Sequence, residues 1–500
     1  MLGQTARLAA QRFGDTPAFV AAAGWTLSYR ELDRLSDEAA VGLARLGLRG
    51  GDVLGLAMPS LPEYVVAYLA AAKLGAVTAG VNDRLSAAER ATVLDVAGPR
   101  LVLATAEQAP ADVPAGAAVV EVVPATGPAS VLAGLRVAGE APVPLTTDPD
   151  RPVAIVFTSG TTGAPKGAVF ANRQLEAITG VDVGGRWGDG GRTLAGTSFA
   201  HLGFMSKLPG TLRSGGTTFM IRRWRAAEAL ELTERHRLTT TGGIPTQVAL
   251  MLQVPDFDRY DLRSVRLVVF GGGPATPSLV REARARFGAP PIMRYTCTEA
   301  GVALGTGPED PPEDAELTVG RPRAGVEMTI RDGDGRPLQA GDVGEVCLRS
   351  AAVMCGYHRD PKATRAAFTA DGAVRTGDLG WADDTGRLHL VGRSKEMYVR
   401  GGENVFPVEV EGVLAEHPGV AEVAVVPRQD DVMGEIGVAV VVPRPGAAPT
   451  LADLRGFGAE RLAAYKLPEA LELVDALPRN AMEKVDRRAL TEAAARAAST

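Results

Sequence analysis

The chain has 500 residues, too many for one ordinary core, so at least two domains are expected. With 46% hydrophobic and 22% charged residues it reads as globular and soluble, and a net charge of −6 excludes a general attraction to nucleic acid or to acidic membrane. Its three cysteines, Cys297, Cys347 and Cys355, have no metal-ligand spacing and no disulfide framework, and read as small buried thiols in a reducing compartment.

The N-terminus lacks a signal-peptide apolar core, so a cytoplasmic location is expected. Apolar residues at helical spacing predict a helix over residues 63–76. The longest apolar candidate, 65–77, is short and contains Lys73, which argues against a membrane span. Residues 100–104 read as a short strand. Residues 105–150, rich in Ala, Pro, Val and Gly, read as loops or short irregular strands. From 151 to about 305, strand and helix signals alternate. One strand over 265–270 ends in Gly271, Gly272, Gly273 and Pro274, and a helix follows over 278–287. This alternation predicts a largely parallel sheet covered by helices.

From 317 to 392 the texture becomes β-rich. Short pieces at 326–330, 344–348 and 388–391 are separated by Asp-Gly and Pro turns, as in a small distorted barrel or antiparallel subdomain. After 393, a helix over 407–417 precedes strands over 420–426 and 436–442, which fits a small α+β terminal domain. The expected fold class is α/β, with a large N-terminal domain (1–393), a small mobile C-terminal domain (396–500) and a hinge near 394–395.

The most informative stretch is 158–168, Thr-Ser-Gly-Thr-Thr-Gly-Ala-Pro-Lys-Gly-Ala. It follows Val153-Ala-Ile-Val-Phe157, an apolar β-branched run that reads as a buried strand. Glycines let backbone N–H groups approach an oxyanion, hydroxyls add donors, and Lys166 adds charge, so the loop is suited to phosphate. Thr158, Ser159, Gly160, Thr161, Thr162, Gly163 and Lys166 are therefore candidate phosphate ligands. The spacing differs from the Walker pattern, which needs four residues between Gly and Gly-Lys. Lysine is scarce: seven residues, against arginine for the rest of the 53 basic side chains. Each retained lysine is a compact point charge that arginine does not imitate.

The 158–168 loop resembles the phosphate loop of the adenylate-forming superfamily, which includes acyl-CoA synthetases, peptide-synthetase adenylation domains and beetle luciferases. Further motifs carry the resemblance in the expected order from residue 10 to residue 490. Tyr295-Thr-Cys-Thr-Glu299 is similar to the Tyr-Gly-x-Thr-Glu motif, with Thr296 where Gly is usual. The resemblance implies that Tyr295, with Thr296 and Cys297, lies at the nucleotide, that Thr298 meets the α-phosphate, and that Glu299 holds Mg²⁺. Gly271 to Pro274 join the nucleotide site. Arg375-Thr-Gly-Asp378 resembles the ribose motif, which makes Asp378 the ribose ligand. Gly392-Arg-Ser-Lys-Glu-Met397 and Gly401-Gly-Glu-Asn-Val-Phe-Pro407 resemble the domain junction. By that match Arg393 reaches the nucleotide, Lys395 is the hinge residue, and Gly402 leaves room for the pantetheine arm of coenzyme A.

Ser198-Phe-Ala-His-Leu-Gly-Phe204 resembles the segment carrying the acyl-site histidine, here His201. Phe204, Met205, Gly243 and Ile244 join it as substrate-pocket candidates, and Phe199, Leu202, Phe204, Met205 and Ile244 suggest an apolar acyl group. Arg294 directly precedes Tyr295, as in malonyl-CoA synthetases, where the arginine meets a second carboxylate. Leu477-Pro-Arg-Asn-Ala-Met-Glu-Lys-Val485 resembles the C-terminal lysine loop. Lys484 matches the lysine that completes the adenylation site, and Glu483 stands where Gly is usual.

The resemblance implies an AMP-forming acid–thiol ligase that uses ATP, Mg²⁺ and coenzyme A. A hydrophobic acid would become its acyl-CoA through an acyl-adenylate. Glu483 would weaken the first step, leaving mainly the transfer of acyl-adenylate to CoA and a second adenylating ligase as a partner. The alternatives are a two-step synthetase for malonate or another dicarboxylate, and an adenylation protein that loads a separate carrier protein.

Overall fold

The structure is a computed structural model that describes residues 1–110, 113–158, 165–481 and 484–497. Helix starts follow local chemistry. Ser28 and Glu31 form a reciprocal capping box at the head of helix Tyr29–Arg45, and Ser86 and Glu89 repeat it at helix Ala87–Ala97. The apolar segment predicted over 63–76 is the helix Pro62–Leu74, buried on nearly every side. Its one lysine, Lys73, reaches Asp33 at 2.6 Å and Asp37 at 2.8 Å, so the buried charge is paired. No helix among the described residues is long and apolar enough to cross a membrane.

Two mainly parallel sheets form the large domain. The first runs Arg321–Pro322, Leu304–Gly305, Pro291–Tyr295, Leu267–Gly271, Thr240–Gly243, Arg192–Ala195, Thr217–Met220, Pro17–Val20 and Thr26–Ser28. The second runs Gly356–Tyr357, Lys166–Ala171, Pro152–Thr158, Val77–Val81, Val53–Ala57, Leu101–Ala104 and Ala118–Glu121. Pro152–Thr158 pairs antiparallel with Lys166–Ala171, which sets Thr158 opposite Lys166. The largest core cluster spans both sheets. In it Phe199 stacks on Phe204 at 3.7 Å between centroids, and both meet the Tyr64 ring edge-on.

The β-rich region is a four-stranded antiparallel sheet in the order Glu327–Arg331, Gly344–Arg349, Val374–Ala382, Leu388–Arg393. Its two outer strands do not pair with each other, so this sheet is open where a barrel would be closed. Beyond a turn at 394–396, the strands from Tyr398 onward form their own five-stranded sheet, flanked by helices Pro407–Leu414, Leu451–Ala459 and Arg487–Ala497. The sequence suggests a connection of Pro427 to Asp431 between two strands, but both strands continue through it. Val420–Asp430 and Gly434–Pro443 form one long hairpin, with Arg428 opposite Ile436.

The two parallel sheets aim the carboxyl ends of their strands at one region. Thr158, Val81, Ala195, Gly243, Gly271 and Tyr295 are all last residues of their strands. In open α/β sheets this is where ligands bind, because loops there are free of the ladder and can present backbone and side-chain groups together.

Candidate active site

A cavity of about 1400 Å³ opens at these strand ends. Thr158, Lys166, Ser198, His201, Gly243, Ile244, Gly271, Gly272, Arg294, Thr296, Cys297, Thr298, Glu299, Arg393, Lys395 and Lys484 all line it. Residues about 325 apart in sequence thus share one wall. Glycine is required at two of the strand ends. Gly243 has φ +146°, and a Cβ there would sit 2.1 Å from the Gln247 Oε1. Gly272 has φ +78° and lies against Ile244. Gln247 in turn donates to the Gly196 carbonyl at 2.7 Å and accepts from the Ile244 N–H, fixing this corner.

At the phosphate end, Lys166 begins its strand opposite Thr158. Its ammonium lies over the Tyr357 ring, 5.2 Å from the centroid. The Tyr357 hydroxyl donates to Glu299 at 2.6 Å. Burial and the nearby Glu299 push the Tyr357 hydroxyl far above its ordinary range, so it stays a neutral donor. Ser159, Gly160, Thr161, Thr162 and Gly163 lie outside the described residues.

Asp378 is buried, and both its oxygens are engaged. Tyr295 Oη donates to one at 2.6 Å and Arg393 Nε to the other at 2.9 Å. Neither Asp378 nor Tyr295 is on the cavity wall; Thr376, Gly377 and Arg393 front them. Burial lowers the Arg393 pKa, but Asp378 and Glu396 outweigh it, and the net direction is upward. The single Thr296 hydroxyl proton is shared between the carbonyls of Cys297 and Gly301, which braces the short helical turn Thr298–Ala300. The Cys297 thiol is buried and pushed well up, so it is inert. Gly273 and Pro274 carry the chain away from the wall toward helix Pro277–Phe287.

The C-terminal domain reaches this cavity through Ala481 and Lys484. Asn480 accepts from the Lys484 N–H at 3.2 Å and donates its own N–H to the Lys484 carbonyl at 2.8 Å. Arg479 spans the two domains, meeting Thr246 at 2.9 Å and Glu422 at 2.7 Å. Burial and Arg393 lower the Lys484 pKa; Asp378 and Glu396 oppose them without reversing the direction. Glu483 lies outside the described residues.

His201 heads the short helix Leu202–Met205. Burial, Lys484 and Arg84 bring its pKa down to about 4, so the ring is neutral. Its Nε2 is 3.2 Å from the Asn82 side-chain nitrogen. Phe204 and Met205, expected beside it in the acyl pocket, are instead core residues. Phe204 is held in the stack with Phe199, and the Met205 carbonyl accepts from the buried Tyr68 hydroxyl. The pocket wall is left to Leu202, Gly243, Ile244 and Arg294. Arg294 Nη1 donates to the backbone carbonyls of Thr306 at 2.6 Å and Met293 at 3.0 Å. Burial and the neighbouring Arg323 lower its pKa to about 10.

Gly402 does not line the cavity in this arrangement. It sits with Gly401 at the tip of the hairpin Tyr398–Arg400/Glu403–Val405, where φ of +56° and +91° demands glycine. Tyr357, Asn82 and Gln247 are the site residues that the sequence does not reveal. Asn82 alone leaves a trace, as a polar residue directly after a buried strand.

The sequence matches known proteins over nearly its whole length. Residues 6–358 match the AMP-binding enzyme family, and residues 409–484 match the AMP-binding enzyme C-terminal domain. The fatty acid–acyl-carrier-protein ligase ScoC of Streptomyces coeruleorubidus is 35% identical over 499 residues, covering 98% of this chain and 96% of that protein. A long-chain-fatty-acid–CoA ligase of Mycobacterium tuberculosis is 32% identical over 477 residues, 93% of each chain. The crystal structure of ATP-bound MatB from Rhodopseudomonas palustris is similar with a TM-score of 0.88 and 29% identity, covering 99% of both chains. The chain thus belongs to the AMP-binding enzyme family, as an AMP-forming acid–thiol ligase of the acyl-CoA synthetase branch.

Proposed function

We propose that the protein converts a hydrophobic monocarboxylic acid to its acyl-CoA through an acyl-adenylate. The observation that carries this reading is the seat of Lys484. A lysine from the C-terminal domain lies at the strand ends of the N-terminal domain, with His201, Arg393 and Asp378 as its electrostatic neighbours.

A carboxylate is a poor electrophile. In the first step one of its oxygens forms a bond to the α-phosphorus of ATP, and pyrophosphate leaves with the electron pair of the broken P–O bond. The demand is for in-line positioning and positive charge on the phosphates, more than for covalent help. Lys166 and Lys484 supply that charge from the two domains, and Thr158 and Thr298 add hydroxyl donors. Asp378 binds the ribose hydroxyls once Arg393 turns from it toward the phosphate.

Among the described residues no cluster of three ligating side chains is present. Glu299, Glu345, Asp360 and Glu396 all lie on the cavity wall, and Glu299 is the one bonded to Tyr357 beside Lys166, which fits an ion held mainly by substrate phosphates. Mg²⁺ bound there would neutralise phosphate charge, and Glu299, oriented by Tyr357, would hold it.

In the second step the CoA thiolate forms a bond to the acyl carbon and AMP leaves. The Lys484 loop must withdraw for this, and the Gly402 turn must approach. The chain between residues 393 and 396 is the hinge, with Lys395 at its centre, separating domains 1–393 and 396–500.

Within this reading Glu483 slows the first step. A unit charge at ~4 Å and an effective dielectric of ~20 amounts to about 4 kcal/mol, or about 10³-fold in rate. A second ligase would then supply adenylate. A second acceptor, a phosphopantetheinyl carrier protein in place of CoA, is favoured by the identity with ScoC.

Mass spectrometry of products formed from a panel of acids with ATP and CoA, carrier protein or neither tests the whole reading. Acyl-CoA from an apolar acid supports it, and acyl transfer to carrier protein alone replaces it with the second reading. Pyrophosphate release and adenylate-to-CoA transfer, assayed separately for wild type and Glu483→Gly, test the charge. Fast wild-type adenylation unchanged by the substitution removes Glu483 from the account and leaves the ligase assignment standing.

A further inference from the structure

We propose that Asn82 is a positioning residue whose amide ties the His201 ring and the Lys484 loop into one assembly for the adenylate-forming step. The inference rests on the ligase reading above.

Asn82 directly follows the buried strand Val77–Val81 and is itself 6% exposed. Its Oδ1 accepts the backbone N–H of Arg84 at 3.0 Å. That bond fixes which way the amide faces, because only the NH₂ group is then left for the cavity side. The NH₂ has two protons and two partners. His201 Nε2 lies at 3.2 Å and the Ala481 carbonyl at 3.4 Å. Ala481 belongs to the loop that carries Lys484, and its neighbours Asn480 and Lys484 are cross-bonded.

Two consequences follow. A donor facing Nε2 makes that nitrogen the acceptor, so the His201 proton resides on Nδ1. The cations facing the ring, Lys484 and Arg84, disfavour a second proton, as does burial. The same amide gives the lysine loop a polar anchor on the N-terminal domain, alongside the Arg479–Thr246 contact. When the loop withdraws, the Ala481 bond is lost and the His201 bond remains. Asn82 therefore acts in the first step and is dispensable in the second. Aspartate has the same shape and no donor, which makes Asn82→Asp the sharpest substitution. Its carboxylate repels the Ala481 carbonyl and invites a proton onto His201 Nε2.

The test follows acid-dependent ATP–pyrophosphate exchange and, separately, transfer from a supplied acyl-adenylate to CoA, in wild type, Asn82→Asp and Asn82→Ser. Exchange accumulates label and so reads a slow first step. Loss of hydrogen bonds of this kind predicts a fall in exchange of about 10- to 100-fold in Asn82→Asp, with transfer unchanged and a smaller fall in Asn82→Ser. Imidazole ¹⁵N resonances of wild-type protein, with His201 assigned through His201→Gln, should show an Nδ1-protonated ring. In Asn82→Asp the His201 titration should move up from about 4. Unchanged exchange, equal losses in both half-reactions, or an Nε2-protonated ring in wild type each overturns the proposal. The tautomer is read on the wild-type protein and decides the matter even if neither variant folds. Wild-type exchange that survives in Asn82→Asp sinks the coupling alone, whereas no wild-type exchange with any acid sinks the ligase reading as well.

Discussion

The Tyr357 hydroxyl and the Glu299 carboxylate form a 2.6 Å hydrogen bond across 58 residues of sequence, directly beneath the Lys166 ammonium. The bond fixes one oxygen of Glu299 and leaves the carboxylate turned to the cavity with a defined orientation. Tyr357→Phe removes that bond and keeps the ring under Lys166. A hydrogen bond to a charged group is worth about 1.5 kcal/mol or more, which predicts about a tenfold loss in the rate of pyrophosphate release at limiting Mg²⁺. High Mg²⁺ should recover most of it, because the defect lies in ion affinity. A rate that is independent of the substitution at all Mg²⁺ concentrations would separate Tyr357 from the metal.

Asp378 holds two side chains, Tyr295 and Arg393, before any nucleotide arrives. Asp378→Ala should weaken ATP and acyl-adenylate together, because the two share a ribose. The loss of charge-assisted bonds is about 1.5–3 kcal/mol, or roughly 10- to 150-fold in Kd, readable by calorimetry. Arg393 loses its carboxylate at the same time, so a modest fall in melting temperature accompanies the change. Unchanged adenylate affinity would take the ribose away from Asp378.

Much of this architecture is legible in the sequence, and the exceptions have physical causes. The strand before Thr158, the strand before Gly271 and the buried helix of Tyr64 declare themselves through local pattern, since each is a mostly apolar run with Gly or Pro at a boundary. Lys166, Glu299 and Lys484 stand out through motifs, and the fold brings all three to one cavity. Phe204 and Met205 show the limit of that approach. An apolar residue beside a site histidine suits a pocket wall or a core equally well, and only the Tyr64 and Tyr68 contacts, more than 130 residues away, decide for the core. Tyr357 and Asn82 are silent for the same reason: their roles exist only after distant strands meet. The hairpin of Val420–Asp430 runs on through Pro427 because its register continues to Asp430 opposite Gly434, overriding the turn chemistry of the intervening residues.

The hinge reading makes a directional prediction. Lys484 lies in the cavity, which under the proposed reading is the arrangement of the adenylate-forming step. Ser394 donates to Gly377 and both Glu396 and Met397 donate to the Arg393 carbonyl, which shapes the turn around Lys395. Proline at 395 fixes its own φ and restricts Ser394. Lys395→Pro should therefore keep pyrophosphate release and lose transfer to CoA. Full activity in both half-reactions would remove Lys395 as the hinge.

The acyl pocket sets the last expectation. Arg294 argues for a dicarboxylate, yet its Nη1 is held by the carbonyls of Met293 and Thr306, which ties the side chain to the backbone. A second substrate carboxylate would have to be desolvated and would meet a guanidinium whose Nη1 is already shared with two backbone carbonyls. It would gain from the charge and lose part of that gain to burial. Leu202 and Ile244, by contrast, offer apolar wall, and each methylene buried there contributes about 0.8 kcal/mol. Bulky apolar monocarboxylic acids should therefore exceed malonate in kcat/KM, by about tenfold for every two methylenes enclosed. Arg294→Ala should cost modest stability through the lost bond to the Thr306 carbonyl, since the Met293 carbonyl keeps its bond from the Thr306 N–H, while leaving the order of preference among acids intact. Steady-state acyl-CoA formation across an acid series, in wild type and Arg294→Ala, measures both. A higher kcat/KM for malonate than for any apolar acid, abolished in Arg294→Ala, would instead make Arg294 the substrate anchor.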